Sequence, residues 1–429
     1  MTMSYESDAV PVLRPDLTPE ELIREAQDLR EWLLDEQAAT EERGTYSPEL
    51  HEKFKEAGFY RIVQPRHFGG YEFDAPTFSR VCMEVARGCP STAWCLALGA
   101  GHALALASHW EESAQAWGFG PDGHFIAPHR GAPGGNCEPV DGGYMVSGQW
   151  GYCSGVPYST HFMGVTSIAP RGEGELSGLT VFLVAREDFE VQGDWGGYQT
   201  LGLNGSGSHS VEVKETFVPE DRMIPFDWLS FEDTEDRPGP RIHGNPMYLG
   251  RPFTFNFGEI VGVIVGAARG ALDESEQLMR TRRTPLPPFG PRLYDSEFQR
   301  QFGHALGLVE SAEHLLLASQ QEYMASCRRW ADGGGFTLAD DGRSCALAIQ
   351  AGALAEQAMD ITFSIAGSSE ARAGSRMLRF YRDLKMQRTQ LGGAHANLDQ
   401  YGQALARAYL FGVSPFDWKE IEVPENAAV

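Results

Sequence analysis

The sequence has no long apolar run and few cysteines. Its seven cysteines are an odd, scattered set with no C-x-x-C pair and no zinc-ligand spacing, so neither a disulfide framework nor a metal site is expected. Such thiols are typical of the reducing cytoplasm, where we place the protein. No run of eighteen apolar residues occurs, and the first ten residues, MTMSYESDAV, are polar and acidic. We therefore expect neither a membrane span nor a secretory signal.

Positive charge is scarce as well. The chain has 35 Lys and Arg against 59 Asp and Glu, which gives a formal net charge of −24. An acidic protein repels nucleic acid and anionic membrane surfaces, so neither is an expected partner. No G-x-G-x-x-G motif follows a predicted strand, so a nicotinamide dinucleotide site has no support. The 429 residues are enough for two or three domains.

The pattern of apolar residues, helix caps, glycines and prolines divides the chain into three blocks. Their order predicts an α+β multidomain protein. Residues 1–123 read as an N-terminal helical domain. Caps at Thr18 and Ser47 start two helices, Gly58 closes the second, and Pro90 starts a third that is apolar on nearly all sides. Residues 124–235 read as a central antiparallel β-barrel or sandwich, because glycine and proline separate short alternating runs.

The third block, residues 245–415, follows a polar, proline-rich linker and reads as a C-terminal four-helix bundle, with residues 416–429 as a tail. Its four long segments are joined by short loops, as in an up-down bundle. The predicted helices are 252–281, 295–331, 339–370 and 376–411.

Two motifs of the central block are the most informative part of the chain: YMVSGQWGYCSGVPY at 144–158 and LGLNGSGSHSVEVKETFVPEDR at 201–222. In the first, a strand follows an Asp-Gly-Gly turn and runs into a small hydroxyl residue, Ser154, before a glycine. If the strand continues that far, alternation puts Trp150, Tyr152 and Ser154 on one face.

These motifs, together with PSTAWCLALGAGH (90–102), RMLRFYRDLK (376–385) and the order of the three blocks, resemble the acyl-CoA dehydrogenase superfamily. The resemblance is greatest to its two-component flavin-dependent monooxygenases, such as 4-hydroxyphenylacetate 3-hydroxylase oxygenase components. It implies a flavoprotein oxygenase component that takes reduced FMN or FAD from a separate NAD(P)H:flavin reductase. With O2 as co-substrate, a flavin C4a-hydroperoxide would hydroxylate a small phenolic aromatic, in secondary metabolism or aromatic catabolism. The resemblance also implies a homotetramer.

The resemblance assigns roles to individual residues. Ser154 would hydrogen-bond beside flavin N5, with Trp150 and Tyr152 against the isoalloxazine. His102 on the third helix would be a catalytic base, since a histidine titrates near neutrality. Arg372, in a GSSEAR loop that reaches a neighbouring subunit in the family, and Arg282 would bind flavin phosphate.

The last helix departs from the family pattern. Acyl-CoA dehydrogenases carry a glutamate about two turns after the Arg-Asp pair, and the monooxygenases carry a histidine there. By direct count this position is Gln390, and His395 follows a double glycine, so which of the two occupies the catalytic position stays open. The missing glutamate argues against an acyl-CoA or acyl-carrier dehydrogenase. N- or S-oxygenation, a flavin-free non-catalytic member and the choice between FMN and FAD also stay open.

Overall fold

Seven helices precede the first strand in the computed structural model, which describes residues 9–170, 176–226 and 237–390, with single positions between 402 and 411. They are α1 (Pro19–Asp28), α2 (Arg30–Arg43), α3 (Pro48–Ala57), α4 (Ala75–Gly88), α5 (Pro90–Ala100), α6 (His102–His109) and α7 (Glu112–Phe119). The helix α4 was not predicted.

The caps predicted for the first helices are confirmed. Thr18 and Glu21 form a reciprocal capping box, and the Ser47 side chain accepts a hydrogen bond from Leu50 N. The helix α3 ends at Gly58, whose φ of +84° is the left-handed conformation that favours glycine.

The predicted single helix after Pro90 is in fact two, α5 and α6, divided at Gly101. Glu259 explains why a glycine stands there. A Cβ built on Gly101 would lie only 1.8 Å from Glu259 Oε2, so no larger residue fits without movement. Glu259 belongs to the first long helix of the third block and is 1% exposed, so this contact fixes the helical domain against the bundle.

The central block forms two four-stranded sheets. The strands are β1 (His129–Pro133), β2 (Asn136–Val140), β3 (Gly143–Trp150), β4 (His161–Ile168), β5 (Gly178–Ala185), β6 (Phe189–Val191), β7 (Val211–Pro219) and β8 (Met223–Pro225). The sheet orders are β1-β4-β5-β8 and β2-β3-β7-β6. The prediction is right for a sandwich, whereas the described strands do not close into a barrel. It also missed that β1 pairs with β4 in parallel.

The strands β4 and β5 are buried on both faces, which builds a three-layer arrangement. On one face, Phe162 and Phe182 pack into the core between the two sheets. On the other face, Met163 and Leu183 pack into the core of the helical domain. The alternation of a strand thus joins the sandwich to the N-terminal helices through one shared sheet.

The third block forms the predicted long helices. After a short helix α8 (Pro238–His243) come α9 (Pro252–Thr281), α10 (Ser296–Ala331), α11 (Leu338–Ala366) and α12 (Arg376–Gln390). These bounds match the prediction closely up to residue 390, and the predicted remainder of the last helix lies mostly outside the described residues. Part of α9, Thr254–Thr281, is long and apolar enough to cross a membrane, but 78% of its apolar window is buried inside the protein, as in a core helix.

The tight contact at Gly101 generates a stability prediction. Gly101→Ala places a methyl group against Glu259, and such overpacking costs about 1–3 kcal/mol, so thermal unfolding should begin at a lower temperature. The double variant Gly101→Ala/Glu259→Ala should recover part of the loss. The control is Gly307→Ala on α10, where a Cβ would meet nothing within 4 Å, and which should not lower the melting temperature. Equal melting temperatures for Gly101→Ala and the parent would contradict the contact.

Candidate active site

The strand β3 ends at Trp150, so the expected continuation to Ser154 is wrong. Trp150 is 2% exposed in the core between the sheets, where its ring packs against Phe182 and its Nε1 donates to Val165 O at 2.9 Å. The chain then turns away, and Tyr152 and Ser154 do not share the face of Trp150. Trp150 therefore anchors the start of the turn in the core between the sheets.

Residues 151–155 form a turn that is exposed only at Tyr152, where its backbone is strained. Tyr152 has a φ of +62°, which is unusual for a residue with a side chain, and it is 47% exposed. Its ring meets Trp195 edge to face at 5.5 Å. Gly151 has no side chain to cover the backbone. The space beside it is largely open, since a Cβ there would meet only Ser210 Oγ, at 3.6 Å. Strained residues of this kind concentrate at ligand sites.

Ser154 lies in this turn, and its hydroxyl is buried in a small polar cluster. Trp94 Nε1, on α5, donates to Ser154 Oγ at 3.0 Å. Ser208 Oγ lies 2.7 Å from Ser154 Oγ, and Ser206 Oγ lies 2.6 Å from Ser208 Oγ. An indole N–H can only donate, so Ser154 must accept from Trp94. If Ser208 also donates to it, the proton of Ser154 is left for a ligand.

The second motif packs directly against the first. Cys153 N donates to His209 O at 3.1 Å, and Gly155 N donates to Ser206 O at 2.9 Å. The loop of residues 200–209, which we call the serine loop, therefore forms one wall of the turn. Its Asn204 has a buried amide nitrogen with no hydrogen-bond partner among the described residues, which leaves a donor free for a ligand.

His102, the first residue of α6, is 6% exposed and is held in one tautomer. Its Nδ1 lies 2.7 Å from the carbonyl oxygen of Ala127. A carbonyl only accepts, so Nδ1 carries the proton and Nε2 keeps a free lone pair. Burial lowers the pKa of His102 to about 4, so the expectation that it titrates near neutrality is wrong. His102 is a neutral acceptor at physiological pH.

The two predicted phosphate-binding arginines lie near each other in the bundle. Arg282 follows the end of α9 and pairs with Glu370 of the GSSEAR loop at 3.0 Å. Arg372 of the same loop is exposed, and among the residues that the structure describes it forms no ion pair. One loop thus brings both cations to one surface, although Glu370 offsets the charge of Arg282.

The C-terminal candidates cannot be placed. His395 lies outside the described residues, and Gln390 is the last residue of α12, with no described side chain. Sequence reasoning missed Trp94, Ser206 and Ser208 as partners of Ser154. All three are inside the quoted motifs, but only the fold reveals that their side chains meet.

The turn and the serine loop thus offer a ligand the Ser154 hydroxyl and the unpaired amide nitrogen of Asn204. Models of two acyl-CoA dehydrogenase domains match the chain, the N-terminal domain over residues 19–115 and the C-terminal domain over residues 259–398. A pigment production hydroxylase from a Rhodococcus species is 30% identical over 301 residues, covering 70% of this chain and 75% of that protein.

A flavin-dependent monooxygenase oxygenase subunit, HsaA of Rhodococcus jostii, is 27% identical over 375 residues, covering 84% of this chain and 89% of that protein. The structure of XiaF from a Streptomyces species, in complex with FADH2 and glycerol, superposes with a TM-score of 0.80 at 21% identity. It covers 93% of this chain and 96% of that one. The chain therefore belongs to the acyl-CoA dehydrogenase superfamily, in its branch of flavin-dependent monooxygenases.

Proposed function

We propose that this enzyme is the oxygenase component of a two-component system that hydroxylates a small phenolic aromatic. Reduced FMN or FAD would come from a separate NAD(P)H:flavin reductase, as the oxygenase-subunit name of the HsaA relative suggests. The observation that carries the proposal is the buried Ser154 hydroxyl, which accepts from Trp94 Nε1 and lies 2.7 Å from Ser208 Oγ, in a turn that is strained at Tyr152.

The bound reduced flavin supplies two electrons, so that one oxygen atom of O2 enters the substrate and the other leaves as water. Ser154 Oγ accepts from Trp94 Nε1, and with Ser208 as a second donor its own hydrogen would be available to a bound flavin. The surrounding groups are almost fully buried, and the exclusion of water limits loss of reduced oxygen as hydrogen peroxide.

His102 orients the substrate. Its Nε2 accepts a hydrogen bond from a phenol O–H, while Ala127 O holds the ring through Nδ1. With a pKa of about 4, neutral His102 is a weak base, so it positions and polarises the phenol more than it removes the proton. We propose that His395 is a second base, supplied by the chain after α12.

The remaining residues bind and complete the site. We propose that Arg372 and Arg282 hold the flavin phosphate and that Tyr152 borders the isoalloxazine. Because both arginines lie on an exposed surface of the bundle, we propose that they serve the site of a neighbouring copy within a homotetramer. We also propose a cytoplasmic location, because seven free cysteines are typical of a reducing compartment. We leave Trp150 out of the cofactor site because it lies in the sandwich core.

The function is tested by turnover under ¹⁸O2. The protein, supplied with NADH, a flavin reductase, FMN or FAD and a panel of phenols, should release a hydroxylated product with one ¹⁸O atom. Without the reductase or without flavin, no product should form. A product that lacks the label, or a tightly bound yellow flavin that is bleached by an acyl-CoA, would refute the proposal in favour of a dehydrogenase.

A serine variant tests the role of Ser154. Ser154→Ala removes one hydrogen bond worth about 1 kcal/mol or somewhat more, so hydrogen peroxide per product should rise roughly fivefold to tenfold. Ser159→Ala is the control, because Ser159 is also a buried serine of this segment but donates to Val156 O instead. If both variants release as much peroxide as the parent, Ser154 is only a turn residue.

The protonation state of His102 can be measured directly. Burial disfavours its charged form, so the histidine should stay neutral down to a pH near 4 instead of its ordinary 6.5. Folding then loses stability from this group as the pH falls from 6.5 toward 4, because only the unfolded chain takes up the proton there. Mass spectrometry of C2-hydrogen exchange, measured against pH, should give a midpoint near 4 for His102. A midpoint of 6 or above would show a solvated ring and exclude the neutral-acceptor role.

A further inference from the structure

Asp383, on the helix α12, is a buried carboxylate that the proposed chemistry does not use. It is 3% exposed, and each of its oxygens accepts one hydrogen bond from a different part of the chain. Leu203 N, in the serine loop, donates to Oδ1 at 2.7 Å, and Ser91 Oγ, at the start of α5, donates to Oδ2 at 2.8 Å. Asp383 therefore ties together three segments that are distant in sequence.

The serine loop is strained where Asp383 holds it. Leu203 has a φ of +55°, a conformation that costs a residue with a side chain about 1–3 kcal/mol. The preceding Gly202 is pressed on the backbone of α12, since a Cβ there would lie 2.2 Å from Arg382 O. A strained residue persists only when its surroundings fix it, and at Leu203 the Asp383 carboxylate holds the N–H, while Trp195 Nε1 donates to the carbonyl.

From Leu203 a chain of contacts continues to the turn of residues 151–155 and returns to Asp383. Ser206 N donates to Leu203 O at 3.0 Å, and the Ser206 and Ser208 hydroxyls lead to Ser154. Trp94, the other partner of Ser154, lies one helical turn after Ser91 on α5. The connections close a ring, which passes through Asp383, Leu203, Ser206, Ser208, Ser154, Trp94 and Ser91.

We propose that Asp383 is a positioning residue: by fixing Leu203 and Ser91, it sets Ser208 and Trp94, the two groups that orient the hydroxyl of Ser154. The effect on catalysis rests on the proposed function, whereas the effect on the serine loop does not. This role needs the two hydrogen bonds but not the charge, so an asparagine can replace the aspartate. Its Oδ1 accepts from Leu203 N, and its Nδ2 donates to Ser91 Oγ.

The charge of Asp383 does not stabilise the fold. Burial raises its pKa to about 6 from 3.8, although the hydrogen bonds from Leu203 and Ser91 and the charge of Arg382 lower it, while Glu41 adds to the rise. Because the folded protein binds this proton more tightly than the unfolded chain, the stability that the group contributes is lost as the pH rises through 6. At pH 7.5, Asp383→Asn should therefore melt at the same temperature as the parent or higher.

The first test needs no flavin. Amide hydrogen exchange, read by mass spectrometry on the full-length protein, should show peptides covering residues 202–209 exchanging at least tenfold faster in Asp383→Ala. Asp383→Asn should protect them like the parent. Asp360→Ala is the matched control, because Asp360 also contacts α12, through Lys385, but does not touch the serine loop. Unchanged protection in folded Asp383→Ala would overturn the proposal.

If Asp383→Ala does not fold, Ser91→Ala tests the same proposal, because it removes the hydrogen bond from Ser91 to Asp383. It should speed exchange of the peptide that contains Trp94 while Leu203 stays protected. Unchanged exchange around Trp94 in folded Ser91→Ala would overturn the proposal, as would an exchange pattern in Asp383→Asn that differs from the parent.

A double-mutant cycle tests whether Asp383 acts through Ser154. Asp383→Ala should raise peroxide per product by roughly the factor seen for Ser154→Ala, and the double variant should show no further rise. Independent, multiplying effects would overturn the link to Ser154. If Ser154→Ala changes nothing while the serine loop still loses protection in Asp383→Ala, the role proposed for Ser154 fails and the positioning of the loop by Asp383 stands.

Discussion

The hydrogen bond from Trp94 Nε1 to Ser154 Oγ is the interaction around which the candidate site is organised. It joins the helical domain to the β-domain at a buried point, where an unpaired polar group would cost about 1–3 kcal/mol. An indole N–H has only one hydrogen to donate, so the contact fixes the position of the hydroxyl and also its hydrogen-bonding role. The turn can be strained at its exposed residue Tyr152 because its buried end is held in this way.

Burial decides how the titratable groups of this region behave. His102 and Asp383 are both almost fully buried, but desolvation shifts their pKa values in opposite directions, down to about 4 and up to about 6. In each case burial disfavours the charged form. At neutral pH His102 is therefore an uncharged hydrogen-bonding group, whereas Asp383 is largely ionised and its two oxygens accept hydrogen bonds from Leu203 and Ser91.

The two-sided burial of β4 and β5 explains why the three blocks form one functional unit. A sheet that faced solvent on one side would leave the turn of residues 151–155 attached only through its own sandwich. Here the same sheet also fills the core of the helical domain, and Asp383 ties the serine loop to the last described helix. The turn, α5 and α12 are thus fixed relative to one another by packing and by hydrogen bonds.

The sequence alone determined the order of helices, strands and bundle, because caps, glycine stops and periodicity act over short stretches of chain. It also determined the family, and it located Ser154 and His102 as candidates. Tertiary structure decided what local patterns cannot express. The strand β3 stops at Trp150 because the chain takes a left-handed turn at Tyr152, and α5 stops before Gly101 where Glu259 approaches from another domain. The partners of Ser154, the tautomer of His102 and the role of Asp383 depend on contacts between residues up to 292 positions apart, which no local pattern encodes.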